Sequence, residues 1–307
     1  MNLSRTAIVL VFCVGLLIVG CGHTGQRQGS ALLANQVVIS TASESGIDRA
    51  IVQITRDIYR FDSNDHSGLF MQADRGIVLI DPLNLASAEW LKSEIDSKFG
   101  EPVTHVLYSH GHNDHASGAA VFDQATIISH KNTFGVIQPD ASFKDVMAPT
   151  RTYSGDSYFL TTGGKTIEMH FVGGNHAADM SYIFFPEESI VFYVDIISLG
   201  ALPFGELGWY SAADSQNTYG KALAIDADIA ISSHGPMGTQ DDVRALQSYM
   251  AELRAGVSAG IDAGQSLEDI QATLMLEDYA DWDYYEQRRP QNITGMHRAL
   301  IAEGSDS

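Results

Sequence analysis

Apolar and polar positions alternate along the chain in a way that predicts short strands and helices from Ile47 onward. The strand-like runs are short and apolar or have a period of two, whereas helical segments repeat apolar positions every three to four residues. The predicted strands are 51–61, 68–74, 76–81, 103–109, 126–129, 166–172, 181–185, 189–195 and 229–233. The predicted helices are 86–99 and 212–224, and the chain from Asp241 onward has a mostly helical pattern.

Turn residues show how these segments connect. Arg75-Gly76 lies between two apolar runs and predicts a β-hairpin, and Gly100 with Pro102 ends the first predicted helix. Short strand–helix units with hairpins between them are typical of a layered α/β domain. Because 45% of the residues are hydrophobic and 18% are charged, the chain can bury a core. The formal net charge of -20 argues against a nucleic-acid partner.

The N-terminus has the pattern of a secretory signal. A basic start containing Arg5 precedes an uncharged apolar run that is too short to span a bilayer comfortably. The sequence at 18–21, IVGC, resembles the bacterial lipobox, in which cleavage precedes a cysteine that then receives lipid. Residues 1–20 are therefore expected to be removed and Cys21 to be acylated, although an uncleaved anchor and an ordinary secretory signal are alternatives. Gly22 favours a lipid-anchored, periplasm-facing protein of the outer membrane.

The segment after Cys21 predicts a tether. Residues 21–46 are rich in Gly, Ser, Thr and Gln, a composition typical of flexible linkers, so the predicted domain runs from 47 to 307. Cys13 lies in the expected signal peptide and Cys21 carries the expected lipid. The mature domain then has no free thiol for a disulfide or a metal–thiolate bond, so a metal site there must use His, Asp or Glu.

A dense group of such residues lies in 108–118, YSHGHNDHASG. This loop follows a predicted buried strand and offers His110, His112, Asp114 and His115 as ligands. Zinc binds imidazole and carboxylate groups, and a catalytic zinc keeps one position for water. One loop cannot complete two such sites, so further ligands are expected at other strand ends. Three metal-capable residues follow or end predicted strands: His176, Asp195 and His234.

Together these motifs resemble those of the metallo-β-lactamase-fold hydrolases. HGHNDH has the H-x-H-x-D-H form of that superfamily, and the three later residues have its remaining ligand order. The resemblance covers roughly 51–235 and implies a four-layer αββα sandwich with the metals at one edge. It implies that His110, His112 and His176 bind one metal, that Asp114, His115 and His234 bind the other, and that Asp195 bridges them. Asp81 is similar to the family's early strand-end aspartate and is expected to orient a ligand imidazole.

The implied cofactor is a pair of zinc ions, with iron or manganese as alternatives that accept the same ligands. A water between two dications becomes hydroxide near neutral pH and can attack a small-molecule substrate. Asp114 is the candidate catalytic residue, because it can orient that hydroxide or transfer its proton. Relatives with aspartate at the bridging position include thioesterases and lactonases. The function expected first is therefore hydrolysis of an ester, lactone or thioester bond.

Alternatives stay open at this point. A β-lactam hydrolase would suit an exported protein, but Asp195 stands where the well-known lactam-cleaving enzymes have Cys or Ser. A non-catalytic metal-binding lipoprotein is a third class. Asp179 either orients a ligand or caps a turn, and His66 lies on an early loop that can overhang the site. The loop 199–219 can line a substrate pocket or simply cover the sheet. The sequence does not indicate an oligomeric state.

Overall fold

The computed structural model describes residues 36–137, 143–208 and 211–305. The predicted signal peptide, Cys21 and the first part of the predicted tether lie outside these residues. Within them, no helix combines the length and the apolar character that crossing a membrane requires.

Two β-sheets form the centre of the fold. The strands of the first sheet follow the chain order: β1 (Val37–Glu44), β2 (Ile47–Gln53), β3 (Ile58–Ser63), β4 (His66–Ala73), β5 (Gly76–Ile80), β6 (Val103–Leu107), β7 (Thr126–His130) and β8 (Arg151–Tyr153). Neighbouring strands are antiparallel from β1 to β5 and parallel from β5 to β8.

The second sheet has six strands in the order β14-β13-β12-β11-β10-β9. Their bounds are β9 (Ser157–Thr162), β10 (Lys165–Gly173), β11 (Met180–Phe185), β12 (Ile190–Tyr193), β13 (Ile229–Ser232) and β14 (Met237–Gly238). β12 and β13 pair in parallel, and the other neighbouring strands are antiparallel.

Helices cover the outer faces of the sheets. They are α1 (Leu85–Lys98), the single-turn α2 (Asn113–Ala116) and α3 (Thr133–Val136), α4 (Ala212–Ala224), α5 (Gln240–Asp262), α6 (Leu267–Thr273) and α7 (Tyr285–Ser305). Short 3-10 segments occupy Ser117–Phe122 and Glu277–Tyr279. Thr239 begins α5 with a reciprocal cap, since its side chain and that of Asp242 each bond the other's backbone N–H.

The strand period of two divides the core into two parts. In β4, Leu69 and Met71 pack into the core shared with the second sheet, whereas Phe70 faces the opposite way. That opposite face meets α1 through Leu91 and Ile95. The core between the sheets continues to the residues of α4 and α5 on the far side. The layers are therefore helix, sheet, sheet and helix, and the predicted αββα sandwich is confirmed.

Several predicted elements differ from the structure. The predicted strand 51–61 is two strands, β2 and β3, which pair as a hairpin around the turn at 54–57. The predicted tether was too long, because β1 begins at Val37 and pairs with β2. Its residues are mostly exposed and include Ser and Thr, so the pattern lacks the alternation that predicts a strand. β8, β9 and β14 were also not predicted, and each is short or largely exposed at a sheet edge.

Candidate metal centre

The predicted ligands meet at one edge of the sandwich, where strands end. The loop after β6 carries His110 and His112, and α2 then presents Asp114 and His115. His176 follows β10, Asp195 follows β12 and His234 follows β13. Because β12 and β13 are parallel, their carboxyl ends lie side by side, which is the usual position of functional residues in such sheets.

The Asp195 carboxylate lies between two sets of imidazoles. Its Oδ2 atom is 3.1 Å from Nε2 of His110 and 3.0 Å from Nε2 of His176. Its Oδ1 atom is 3.2 Å from Nε2 of His115 and 2.9 Å from Nε2 of His234. One oxygen therefore faces each set, which is the arrangement that a carboxylate bridging two metals requires.

Three groups of donor atoms in the described residues are compact enough to hold a cation, and one of them, formed by Asp65, His66 and His234, was not predicted. The other two contain the predicted ligands. In the first, the ligand atoms of His110, His112, His176 and Asp195 all lie within 4.8 Å of one another. In the second, those of Asp114, His115 and His234 do so. These are the two sets that the motif resemblance implied, with all seven residues included.

Buried nitrogen atoms support a metal at this place. His110 and His115 are fully buried, yet their Nε2 atoms make no hydrogen bond of acceptable geometry in the described residues. Each nitrogen faces an oxygen of Asp195 without forming a hydrogen bond, and a cation between the two atoms would satisfy both. Imidazole and carboxylate donors suit zinc and also iron or manganese. The residues present therefore fit a divalent cation in each group.

The sequence model of the metallo-beta-lactamase superfamily matches residues 65–234, more than half of the chain. The chain belongs to this superfamily. The matched region contains all seven candidate ligands, from His110 to His234. It ends before α5, α6 and α7, which lie outside the matched region. Membership confirms the predicted family. It also supports the general prediction that the chain is a hydrolase.

Curated members and relatives match part of the chain. The alpha subunit of 2,4-dinitroanisole O-demethylase from Nocardioides sp. (strain JS1661) is 29% identical over 136 residues, covering 43% of this chain and 41% of that subunit. The type 2 metallo-beta-lactamase of Bacteroides fragilis is 24% identical over 155 residues, covering 47% of this chain and 61% of that enzyme. The chain spans about half the length of these relatives.

Solved structures show a similar fold. A metallo-beta-lactamase from Pontibacter korlensis has a TM-score of 0.57 and 21% identity, covering 65% of this chain and 97% of that one. The sec-alkylsulfatase Pisa1 from Pseudomonas sp. has a TM-score of 0.65 and 16% identity, covering 82% of this chain and 50% of that one. At these identities, the similarity concerns the fold alone.

Asp81 supports the second ligand group of this metallo-beta-lactamase superfamily member. The side chain is fully buried, and its Oδ2 atom is 3.3 Å from Nδ1 of His115. It also accepts hydrogen bonds from the backbone N–H and the hydroxyl of Ser109 at 2.8 and 2.6 Å. The Asp81 carboxylate therefore lies against a candidate ligand and against the start of the ligand loop, which is the position that the predicted orienting role requires.

Asp179 holds the other side of the ligand loop. Its Oδ2 atom accepts a 2.7 Å hydrogen bond from Thr133, and it also bonds the backbone of Gly111, between the first two candidate ligands. Burial raises the pKa of Asp179, while His110 acts in the opposite direction. The sequence left open whether Asp179 orients a ligand or caps a turn. These contacts place it against the ligand loop, between His110 and His112.

The electrostatics differ between the two ligand groups. Burial, together with His110 and His176, lowers the pKa of His112 to about 4, so this imidazole is neutral and available as a ligand at neutral pH. Burial also opposes charge on His115, but Asp195 and Asp81 outweigh it and hold the pKa of His115 well above its ordinary value. In the absence of a cation, His115 is therefore protonated.

The two candidate carboxylate ligands are ionised. Burial alone would raise the pKa of Asp195, yet His115 and His110 outweigh it and keep that pKa well below its ordinary value. Burial also opposes ionisation of Asp114, but His66 and His115 lower its pKa. Both carboxylates are therefore in the form that binds a cation.

His66 lies beside the second ligand group of the metal centre. Its Nε2 atom is 3.5 Å from Oδ2 of Asp114, and its Nδ1 atom is 3.0 Å from Oδ1 of Asp65. The Asp65 carbonyl oxygen is in turn 3.0 Å from Nδ1 of His234. Sequence reasoning missed Asp65, and its position directly before His66 in the loop SNDHSG was the available signal.

The aromatic residues of the loop 199–219, which was predicted either to line a substrate pocket or to cover the sheet, differ in their exposure. Tyr219 is buried in α4 and belongs to the core, so it does not line an open pocket. Phe204 is 75% exposed and fits a pocket lining or a surface contact. Trp209 and Tyr210 lie outside the described residues.

Proposed function

We propose that this superfamily member is a metal-dependent hydrolase that cleaves an ester, lactone or thioester bond in a small molecule. The observation that carries the proposal is the position of Asp195, with one carboxylate oxygen toward each group of imidazoles. Such a carboxylate suits a pair of divalent cations, and we propose zinc because the donors are imidazole and carboxylate.

The proposed ligands are the seven residues of the two donor groups. A pair of divalent cations held there would supply a strongly acidified water and an electrophile for the substrate carbonyl oxygen. The residues of the chain position the cations and the ligand loop. Asp195 and the imidazoles fix the positions of both charges, while Asp81 and Asp179 fix the loop that carries the ligands.

Asp114 is the proposed proton-transfer group. Its side chain is 42% exposed, whereas the Asp195 side chain is 7% exposed, so Asp114 can contact both a substrate and the ligand group. Its lowered pKa keeps the Asp114 carboxylate ionised, so that one of its oxygens can accept a hydrogen bond from water and direct the proton toward the leaving group.

A hydrolysis panel with the purified full-length chain, loaded with zinc, tests the reaction. We expect turnover of an ester, lactone or thioester, and we expect His110→Ala and Asp114→Ala to abolish most of it. Exposed Asp123 supplies a matched control, because Asp123→Asn changes a surface carboxylate. Turnover that survived both site substitutions would contradict the metal mechanism.

The relatives suggest additional substrates for the same panel. Their names include a β-lactamase, an O-demethylase and an alkylsulfatase, so a β-lactam, an aryl methyl ether and a sulfate ester belong beside the esters. Preferred turnover of the β-lactam would favour the alternative function. No turnover of any substrate, together with two bound cations per chain, would favour a non-catalytic metal-binding protein.

The proposed location is the periplasmic face of the outer membrane, with a lipid anchor at Cys21. The proposal is supported by the sequence at 18–21 and by the Gly22 that follows it. Expression in bacteria fed a labelled fatty acid should label the chain, and Cys21→Ser should abolish the label. A chain that stays unlabelled while being processed at another position would contradict the anchor.

A further inference from the structure

The C-terminal helix holds the loop that leaves the metal centre. We call residues 199–208 the covering loop, which begins four residues after Asp195. Asp283, just before α7, pairs with Ala201 in a β-bridge. Within α7, the Asn292 side chain donates to the carbonyl oxygens of Pro203 and Gly205 at 2.9 and 2.8 Å. This helix lies outside the region that the superfamily model matches.

Arg288 stands out on this helix. Its Nη1 atom donates a 2.8 Å hydrogen bond to the carbonyl oxygen of Leu202 in the covering loop. Its guanidinium carbon lies 3.8 Å from the ring centre of Tyr284 and 5.5 Å from that of Phe204. The guanidinium is therefore stacked on one aromatic ring and flanked by a second, and both rings are exposed.

The charge of Arg288 has no carboxylate partner within 4.0 Å among the described residues. Three other arginines of the C-terminal region do have one: Arg244, Arg254 and Arg298. The neighbouring Arg289 also has no carboxylate partner among the described residues, but it donates two hydrogen bonds to backbone carbonyl oxygens. A guanidinium has five N–H donors, and the described residues accept one hydrogen bond from Arg288. Although the chain has a net charge of -20, the remaining N–H donors of Arg288 have no acceptor among the described residues and are available to a ligand.

The covering loop connects Arg288 with the metal centre. Arg288 donates to the carbonyl oxygen of Leu202, seven residues after Asp195. The segment between Asp195 and the covering loop lies at the centre, because the carbonyl oxygen of Ile197 accepts a hydrogen bond from the Ser232 hydroxyl, two residues before His234.

We propose that Arg288 binds an oxyanion group, a carboxylate or sulfate, on the substrate, whose apolar part lies on Tyr284 and Phe204. A guanidinium presents paired donors that match two oxygens of such a group, and stacking on an aromatic ring holds the guanidinium in place. The site then selects substrates that carry an anion some distance from the bond cleaved. This substrate class rests on the proposed hydrolase function.

A pair of esters tests the effect of the anion on turnover. The probes are 4-nitrophenyl hydrogen glutarate, which carries a carboxylate, and the uncharged 4-nitrophenyl valerate. We expect Arg288→Gln to lower kcat/KM for the anionic ester about tenfold, the size of one charged hydrogen bond, and to leave the neutral ester within about twofold. Arg288→Lys should retain part of the difference, because it keeps the charge but loses the paired donors.

Arg298→Gln is the matched control, since Arg298 lies on the same helix and pairs with Glu206 of the same loop. It should leave the ratio of the two esters unchanged. An equal loss for both esters in Arg288→Gln, or an unchanged ratio, would overturn the proposal. Circular dichroism of each variant must match that of the parent chain for the comparison to count.

A binding measurement separates this proposal from the hydrolase function. Phenylacetate, phenyl sulfate and uncharged 2-phenylethanol are titrated into the chelator-treated full-length chain, with NMR line broadening of each ligand as the readout. We expect both anions to bind more tightly than the alcohol and to lose that advantage in Arg288→Gln. Comparing the two anions shows which oxyanion is preferred.

The combined outcomes are distinct. Anion binding that depends on Arg288, with no turnover of either ester, would contradict the hydrolase function and leave the binding site in place. Absence of anion binding to the parent chain, or equal binding in Arg288→Gln, would overturn the binding site whether or not the esters are hydrolysed.

Discussion

Two aspartates at the metal centre adopt a backbone conformation that is uncommon for residues with a side chain. Asp81 has φ of 50° and Asp195 has φ of 56°, both in the left-handed region. Asp tolerates this region better than most residues, but the conformation still costs free energy and concentrates at functional sites. Each aspartate directs a buried carboxylate at candidate ligand imidazoles. The strained backbone is therefore located where the ligands are oriented.

Replacing Asp81 should weaken the second metal site. In Asp81→Asn, the amide oxygen can still accept from the backbone N–H of Ser109. The NH2 group accepts from neither the Ser109 hydroxyl nor His115. We expect metal affinity to fall about 10–100-fold. The buried mismatch should also lower the free energy of unfolding by about 1–3 kcal/mol. Competitive chelator titration and urea unfolding measure the two effects, and unchanged affinity would contradict the role of Asp81.

His66 can be tested through its two nitrogen atoms separately. The amide of Gln approximates Nε2, which faces Asp114, and the shorter amide of Asn approximates Nδ1, which faces Asp65. If His66 positions Asp114, His66→Asn should lower kcat about 10–100-fold and His66→Gln should restore much of it. Steady-state kinetics with separate kcat and KM values provide the measurement.

The matched control for His66 is His170→Asn, because His170 pairs with Glu168 on β10, away from the ligands. It should leave both kinetic parameters unchanged. Equal losses in His66→Asn and His66→Gln would show that the ring, and not the contact with Asp114, is what matters.

At the scale of elements, the site depends on how the ligand loop packs against the first helix. Gly118 ends the stretch that carries the ligands, and its N–H donates to the carbonyl oxygen of Leu83 at 2.7 Å. A Cβ atom at this position would lie 2.5 Å from the Cβ of Ala88 in α1 and 2.5 Å from the carbonyl oxygen of Pro82. The close approach therefore requires glycine and leaves no room for a side chain.

Gly118→Ala should therefore displace the ligand loop. Backbone atoms surround the added methyl group, so we expect the free energy of unfolding to fall by about 1–3 kcal/mol through overpacking. Gly135→Ala is the control, because a Cβ there meets nothing within 4 Å. Urea unfolding of the metal-free variants measures the difference. Equal stability of the two variants would contradict the packing argument.

The elements themselves were predictable to different degrees. β4, β5 and α1 follow from their own apolar patterns, because each buries a continuous or periodic set of side chains. The pattern of β1 does not predict a strand, because it is held by backbone pairing with β2 and exposes Val37 and Val38. Edge strands with little buried surface carry a weak hydrophobic signal.

At the scale of the whole molecule, the metal centre lies where the two sheets meet. The backbone N–H of Ser181, on β11, donates to the carbonyl oxygen of Ser109 in the ligand loop at 2.8 Å. The N–H of Ser67, on β4, donates to the carbonyl oxygen of Ser233 at the same distance. Ligands from both sheets then surround Asp195. Cation binding should therefore stabilise the contact between the sheets and raise the melting temperature.

Cation binding should also release a proton. Without a cation, Asp195 and Asp81 keep His115 protonated, and the proton must leave before the imidazole can coordinate. Affinity for the second cation should therefore rise with pH, by up to about tenfold per unit, below the raised pKa of His115. Calorimetry in buffers with different ionisation enthalpies measures the released proton. A heat that is independent of the buffer would contradict this prediction.

The sequence by itself determined which residues form the candidate ligand set and which superfamily the chain belongs to. The spacing of His110 to His115 is local, and the three later ligands are marked by strand ends, so the residues can be identified without knowing where the strands lie in space. The period of two in the strands likewise determined the layered core.

Only the tertiary structure decided how these residues act on one another. Burial and distance set the pKa values of His112 and His115 in opposite directions, although both imidazoles lie in one short motif. The contact of His66 with Asp114 and the position of Arg288 beside the covering loop join segments far apart in the chain. Such relations depend on which strand ends and helices meet in space, and no periodicity along the sequence records that meeting.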